Sequence, residues 1–396
     1  MKLVIESLDH QGRGLAKQNE KVYFVDNAIE GEEVEVNILK TKKNICECEV
    51  TKYYKLNEND RIKPICPYYK ECGGCDIMHI KNQNKYKKDK LNNIINKYVD
   101  KNLEIDEVVN LNNLNYRNKI TLQVQNKKLG LYRKKSNQIV EIDNCYLVKE
   151  SINDLIKIIK NEINLENVKQ IVIKASEEIM VIFYTTKNTN ININPLKQKV
   201  HSIYINDKKI FGKDKIIEKM DDYQFLVSPE SFFQVNNEVA TAMYNYINSL
   251  IEKVDVLFDL YCGTGTIGIF LNKKAKKIIG IEINQSAIKD ANQNIELNKV
   301  KNTQFFCTDA ANITDKTNLK PDTIIIDPPR SGLDKKMIDD IKKLKPKQII
   351  YVSCDPMTLA RDLKEFTEYE IKSIKGFDMF PNTYHVETVV NLNLRS

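Results

Sequence analysis

From about residue 220 the chain alternates apolar strand-like runs with helical stretches, and this rhythm constrains the fold more than any other feature. The runs are Val256-Leu257-Phe258, Ile278 to Ile283, Phe305-Phe306, Thr323 to Ile326 and Ile349 to Val352. Strands alternating with helices predict an open parallel sheet covered on both faces. In such sheets ligands bind beyond the carboxyl ends of the strands. The residues just after each run are therefore where chemistry is to be sought. A last alternating run, His385 to Leu394, reads as a final strand.

The first run ends in Asp259-Leu260-Tyr261-Cys262-Gly263-Thr264-Gly265-Thr266-Ile267-Gly268, a G-x-G-x-x-G loop that opens a helix. Glu282 closes the next run, about 20 residues on, where an acid can hydrogen-bond ribose hydroxyls. The pattern suits a dinucleotide and S-adenosylmethionine (SAM) equally, since both carry an adenosine ribose. Cys262 reads as a small packing residue of the loop.

Asp327-Pro328-Pro329-Arg330 ends the fourth run, and its two prolines stop strand pairing. Ser353-Cys354-Asp355-Pro356 ends the fifth. If the last strand is antiparallel, Glu387 starts at the same edge. Asp327, Cys354 and Glu387 then meet from distant sequence. Alone, Cys354 reads as a buried thiol and Glu387 as a surface acid; together they suit one reaction. Carbon 5 of uracil is a poor nucleophile toward a methyl sulfonium. A thiolate adding to carbon 6 makes carbon 5 enolate-like, and a base must afterwards remove the carbon 5 proton.

The first fifty residues alternate with period two around Gly12, Gly14 and Gly31, which predicts a small closed barrel. Seven basic and ten acidic residues leave this stretch at −3, against +7 for the whole chain. The barrel alone is thus no magnet for phosphate. Further on lie two basic runs, Lys85/Lys87/Lys88/Lys90 and Lys127/Lys128/Arg133/Lys134/Lys135, interleaved with Tyr86, Tyr116 and Tyr132. Cations beside rings suit RNA; for either run alone, a solvated face is the better reading. Cys66, Cys72 and Cys75 form C-x5-C-x2-C in a Gly/Pro loop, with Cys145 the best fourth ligand. Spacing leaves an iron–sulfur cluster and zinc both open; it is not the C-x3-C-x2-C of radical-SAM enzymes. Nine cysteines in a Lys- and Asn-rich chain argue against a disulfide scaffold. No apolar run approaches the ~18 residues of a membrane span, and Met1 to His10 lacks the features of a signal peptide. A cytoplasmic chain, monomeric by default and without fixed-period repeats, is expected.

At these residues the chain resembles the SAM-dependent RNA 5-methyluridine (uracil-C5) methyltransferases, over nearly its whole length. Gly12-Arg13-Gly14 and Tyr23-Phe24-Val25 with Gly31 resemble a TRAM domain. Tyr116-Arg117-Asn118-Lys119, Ser231-Phe232-Phe233-Gln234-Val235-Asn236, the SAM loop, Asp-Pro-Pro-Arg-Ser-Gly and Thr358-Leu359-Ala360-Arg361-Asp362 match family motifs. The resemblance implies an α/β chain of three parts: a TRAM/OB-like β-barrel over 1–55, a central α+β iron–sulfur RNA-recognition domain over 56–215, and a Rossmann-like SAM methyltransferase domain over 216–396. The helix over 81–100 would be able to pack on the last of these. It implies Cys354 as nucleophile and Glu387 as base. It implies Gln234, Tyr261, Thr266, Glu282, Asp309 and Asp327 at SAM, and Cys66, Cys72, Cys75 and Cys145 on a [4Fe–4S] cluster, with Zn the alternative. The partner implied is RNA, 23S rRNA favoured because members with both barrel and cluster mostly act there, with tRNA the alternative. Asp355 stands where many members have Asn, and Thr266 where some do.

Two competing classes remain. A dinucleotide-dependent iron–sulfur oxidoreductase explains the glycine loop and Glu282, but leaves Asp327, Cys354 and Glu387 without roles. A non-catalytic RNA-binding module is at odds with an intact Cys354 and Glu387.

Overall fold

The computed structural model describes residues 1–187 and 189–395. At the N-terminus six strands form one sheet, in which Lys2–Val4 pairs with Glu33–Lys42 at one end and Ser7–Leu8 with Gly14–Gln18 at the other. Those two short strands are consecutive in the chain, so a single bent segment closes the barrel. Leu3, Ile5, Tyr23, Val25, Val34, Val36, Cys46 and Cys48 fill it. The period-two alternation of Glu33–Lys42 stops at Val36: Ile38 is exposed, although Cys48 opposite it is in the core. Beyond Glu35 this strand no longer pairs with Lys2–Val4, and its register against Ile45–Lys55 shifts between Ile38 and Lys40.

A seven-stranded sheet follows, built on Lys119–Gln125, Val168–Ala175 and Ile179–Thr185 at its centre. The helix Glu150–Glu162 covers it with Ile152, Leu155, Ile156 and Ile159, one stripe at helical spacing.

The C-terminal sheet has eight strands, in the order Thr303–Cys307, Ala275–Glu282, Val254–Leu260, Thr323–Ile326, Gln348–Ser353, Glu387–Leu394, Tyr369–Phe377 and Val108–Val109. The first five are parallel, and Glu387–Leu394 is antiparallel to both neighbours. Its outermost strand comes from the central stretch, as does the helix Gln83–Tyr98, whose Leu91 and Ile95 enter the core of this sheet. Residues 83–109 are thus physically part of the C-terminal layer.

That packing corrects the reading of the first basic run. Lys87 is fully buried against Asp378, at 2.5 Å, and Lys90 is buried with its ammonium on the Tyr384 carbonyl. Tyr86 and Tyr116 are buried too, donating to the carbonyls of Asp9 and Pro381. Of the three tyrosines only Tyr132 is exposed and free to stack on a base.

Candidate functional site

The strand Val254–Leu260 ends in a loop that needs its glycines. Gly263 and Gly265 lie at φ +53° and +76°, in the left-handed region. A Cβ on Gly265 would meet the Phe305 ring at 2.4 Å, and one on Gly280 would meet it at 2.2 Å. The loop therefore folds tightly over Phe305. Asp259, wholly buried, accepts the Gly268 amide at 2.9 Å, and burial pushes its carboxyl up to about 7. Tyr261 also takes a positive φ, +63°. Glu282 accepts the amides of Gly263 and Asn284, at 3.2 and 2.8 Å. It therefore ends its strand beside the loop. Thr266 begins the following short helix, its hydroxyl 3.2 Å from that of Thr264. Burial, then the charges of Asp334, Asp309, Asp362 and Glu282, raise the Tyr261 phenol, which places Asp309, just beyond Thr303–Cys307, close to the same site.

The same edge carries the three other residues. Asp327 follows Thr323–Ile326, its amide on the Leu260 carbonyl. In the antiparallel pair Ser353 faces Thr388, so one further step of the register sets Cys354 opposite Glu387. Burial, then the charge of Asp327, raises Glu387 to about 8, while Arg330 opposes. Burial, then Glu387 and Asp327, raises the Cys354 thiol to about 11, again against Arg330. Asp327 itself is pushed up to about 7 by burial. Asp327, Cys354, Glu387 and Arg330 thus share one electrostatic site.

The turn after the prolines is held from behind. Arg361 donates to the carbonyls of Ser331 and Leu333, and Asp362 accepts the Leu333 amide and the Tyr351 hydroxyl. Asp355 caps the helix Pro356–Leu363 by accepting the amides of Met357 and Thr358. An Asp caps a helix in this way as well as an Asn does.

Gln234 reaches the site from another side. Its backbone carbonyl accepts from Asn118, and its side chain lies close enough to Tyr244 to act on the phenol. Tyr244 is buried, and Asp327, Asp259 and Glu387 all raise its phenol. Sequence reading missed it, because on the helix Asn237–Leu250 it looks like one more core aromatic. Lys174 was missed as well. It is buried, donates to the carbonyls of Ser228 and Ser231 at 2.9 Å, and so anchors the turn leading to Gln234.

Cys66, Cys72, Cys75 and Cys145 line one cavity of about 350 Å³, with Gln234 and Phe380 also on its wall. Burial comes first in raising all four thiols, and Cys145 raises each of the other three further. Among the described residues no three His, Cys, Asp or Glu side chains are drawn close enough to grip a single metal ion. Among the described residues, too, no helix is long and apolar enough to cross a membrane.

Known proteins share this arrangement. The family described as tRNA (uracil-5-)-methyltransferase matches residues 79–395, and the TRAM domain matches residues 1–51. An "uncharacterized RNA methyltransferase" of Clostridium tetani is 34% identical, covering 98% of this chain and 95% of its own. One from Staphylococcus aureus is 32% identical over 99% and 97%. The Pyrococcus abyssi tRNA (uracil-54, C5)-methyltransferase, solved with S-adenosyl-L-homocysteine, superimposes with a TM-score of 0.81 at 30% identity, covering 99% of both chains.

Proposed function

The chain belongs to the tRNA (uracil-5-)-methyltransferase family and is a SAM-dependent RNA methyltransferase with an N-terminal TRAM domain, and from this footing we propose that it methylates uridine C5 through a covalent Cys354 adduct. The observation that supports the mechanism is the strand register ending with Ser353 facing Thr388, which leaves Cys354 and Glu387 as neighbours whose charges act on each other. The Cys354 sulfur adds to C6, and the thiol proton leaves for solvent or the O4 enolate. C5 then takes the methyl group, releasing S-adenosylhomocysteine. Glu387, as carboxylate, takes the C5 proton. The C–H electrons become the C5–C6 double bond and the C6–S bond returns its pair to Cys354. Because C6 must be approached from above the ring, the uridine has to leave its stack. Gln234, Tyr261, Thr266, Glu282, Asp309 and Asp327 are the proposed SAM contacts.

The three-part division at residues 55 and 215 is kept as a proposal, with residues 83–109 packed on the catalytic sheet. The four cysteines are proposed to hold a [4Fe–4S] cluster. Thiols buried around one cavity favour a positively charged group that lets them ionise. When bound, the cluster would tie residues 66–75 to residue 145, and no step of the methyl transfer is routed through it.

We favour 23S rRNA as substrate, on the pairing of barrel with cysteine set. The second reading, tRNA, is supported by the likeness to the Pyrococcus tRNA enzyme across the whole chain. Methylation of purified, unmodified 23S rRNA and tRNA with labelled SAM, followed by nucleoside analysis, separates the two. Label in 5-methyluridine of neither RNA would refute the proposed reaction.

A further inference from the structure

The loop between Tyr369–Phe377 and Glu387–Leu394 is held largely by residues that precede the catalytic sheet's first five strands in sequence, and Asn382 makes more of those bonds than any other loop residue. Asn382 is buried at φ +69°, a conformation Asn tolerates better than most residues. Its amide donates to Gln83 Oε1 at 2.8 Å, and its Oδ1 accepts from Gln83 Nε2 at 3.0 Å. Its carbonyl accepts the amides of Asp76 and Ile77, at 2.9 and 3.1 Å. Its Nδ2 donates to the Asn113 carbonyl at 2.7 Å. Every polar group of Asn382 is thus taken by residues 76–113. The neighbouring carbonyls are taken as well: Phe380 by Lys87, Pro381 by Tyr116 and Tyr384 by Lys90.

None of these hydrogen bonds reaches Cys354, although the body of the helix Gln83–Tyr98 packs on the helix Pro356–Leu363 that follows it. Cys354 ends a different strand, where the Ser353 hydroxyl bonds Asp355 and Asp355 caps its own helix. Loosening the loop would therefore shift Glu387, five residues beyond Asn382, while leaving Cys354 in place.

We propose that the reciprocal Gln83–Asn382 pair is a positioning lock for Glu387, through which the N-terminal part of the chain governs removal of the C5 proton and not the addition of Cys354. The proposal rests on the reading of Cys354 as nucleophile and Glu387 as base. A base misplaced by about 1 Å can cost 10²-fold in rate. With the C5 proton still in place, the C–H pair cannot form the double bond and Cys354 cannot leave. The methylated adduct must then accumulate on ordinary uridine RNA, a signature that simple unfolding does not produce.

The test uses the full chain with Gln83→Met, which removes both arms of the pair at similar volume, and Gln83→Glu, which keeps the acceptor for the Asn382 amide. Adduct formation on 5-fluorouridine RNA should stay within about twofold of the parent, while turnover falls about tenfold or more and adduct on ordinary RNA builds up on a denaturing gel. Unchanged turnover, or adduct formation and turnover falling in step in both variants, would overturn the lock. Glu387→Gln is run beside them. If it accumulates adduct and the Gln83 variants do not, the lock alone fails. If it accumulates none, the base assignment beneath the lock fails.

Discussion

Asp327 and Glu387 sit close enough for the charge of one to hold the proton on the other. Burial is the larger cause, Asp327 the second, and together they lift Glu387 to about 8. Only the carboxylate can take the C5 proton, so the ionised fraction grows as pH rises through that value. Release of methylated RNA from preformed adduct should accelerate roughly tenfold per pH unit below about 8 and level off above it. Arg330 stabilises the carboxylate, so Arg330→Met should move that limb to higher pH. Single-turnover release across pH 6–9.5 measures both.

The buried Lys87–Asp378 pair fastens the helix Gln83–Tyr98 to the loop before Glu387. Removing one partner strands a charge in the interior. Lys87→Met should cost about 3–5 kcal/mol, and Lys87→Met with Asp378→Leu distinctly less. Denaturant unfolding of the two variants gives the comparison.

Gly280 has no room for a side chain, since a Cβ would lie 2.2 Å from the Phe305 ring. Gly280→Ala should destabilise by about 1–3 kcal/mol. Because the same ring lies under Gly265, it should also weaken SAM binding about tenfold, equivalent to ~1.4 kcal/mol. Adding Phe305→Leu should restore part of both, as calorimetry and thermal unfolding would reveal.

Cys75 is buried on the wall of the four-cysteine cavity. In anaerobically purified protein, Cys75→Ser should lose iron and acid-labile sulfide together and lower the melting temperature. Zinc without iron or sulfide in the parent protein would contradict the cluster.

The edge that gathers Asp327, Cys354 and Glu387 was legible because topology does long-range work that no local signal can. Parallel strands deliver their carboxyl ends to one side, so Asp327 and Cys354 had to be neighbours, and one antiparallel strand was enough to return Glu387 to them. The glycine loop was legible from its spacing. Contacts between halves of the chain were not. Lys87 and Lys90 lie in a run of lysines that reads as a wet surface, and the partner of Lys87, Asp378, is 291 residues away. Tyr244 and Lys174 carry no motif; only the packed structure reveals a phenol among three carboxylates or an ammonium beneath a turn. Ile38 continues the alternation of Val34 and Val36 in sequence, but its strand has by then lost one neighbour and shifts register, so the side chain stays exposed.

The covalent adduct is the central claim. Protein is mixed with SAM and with 23S rRNA or tRNA carrying 5-fluorouridine, then run on a denaturing gel. Fluorine at C5 cannot leave as a proton, so the account predicts a shifted RNA–protein band in the parent and none in Cys354→Ala. Absence of that band with both RNAs, in protein that binds SAM, would contradict it.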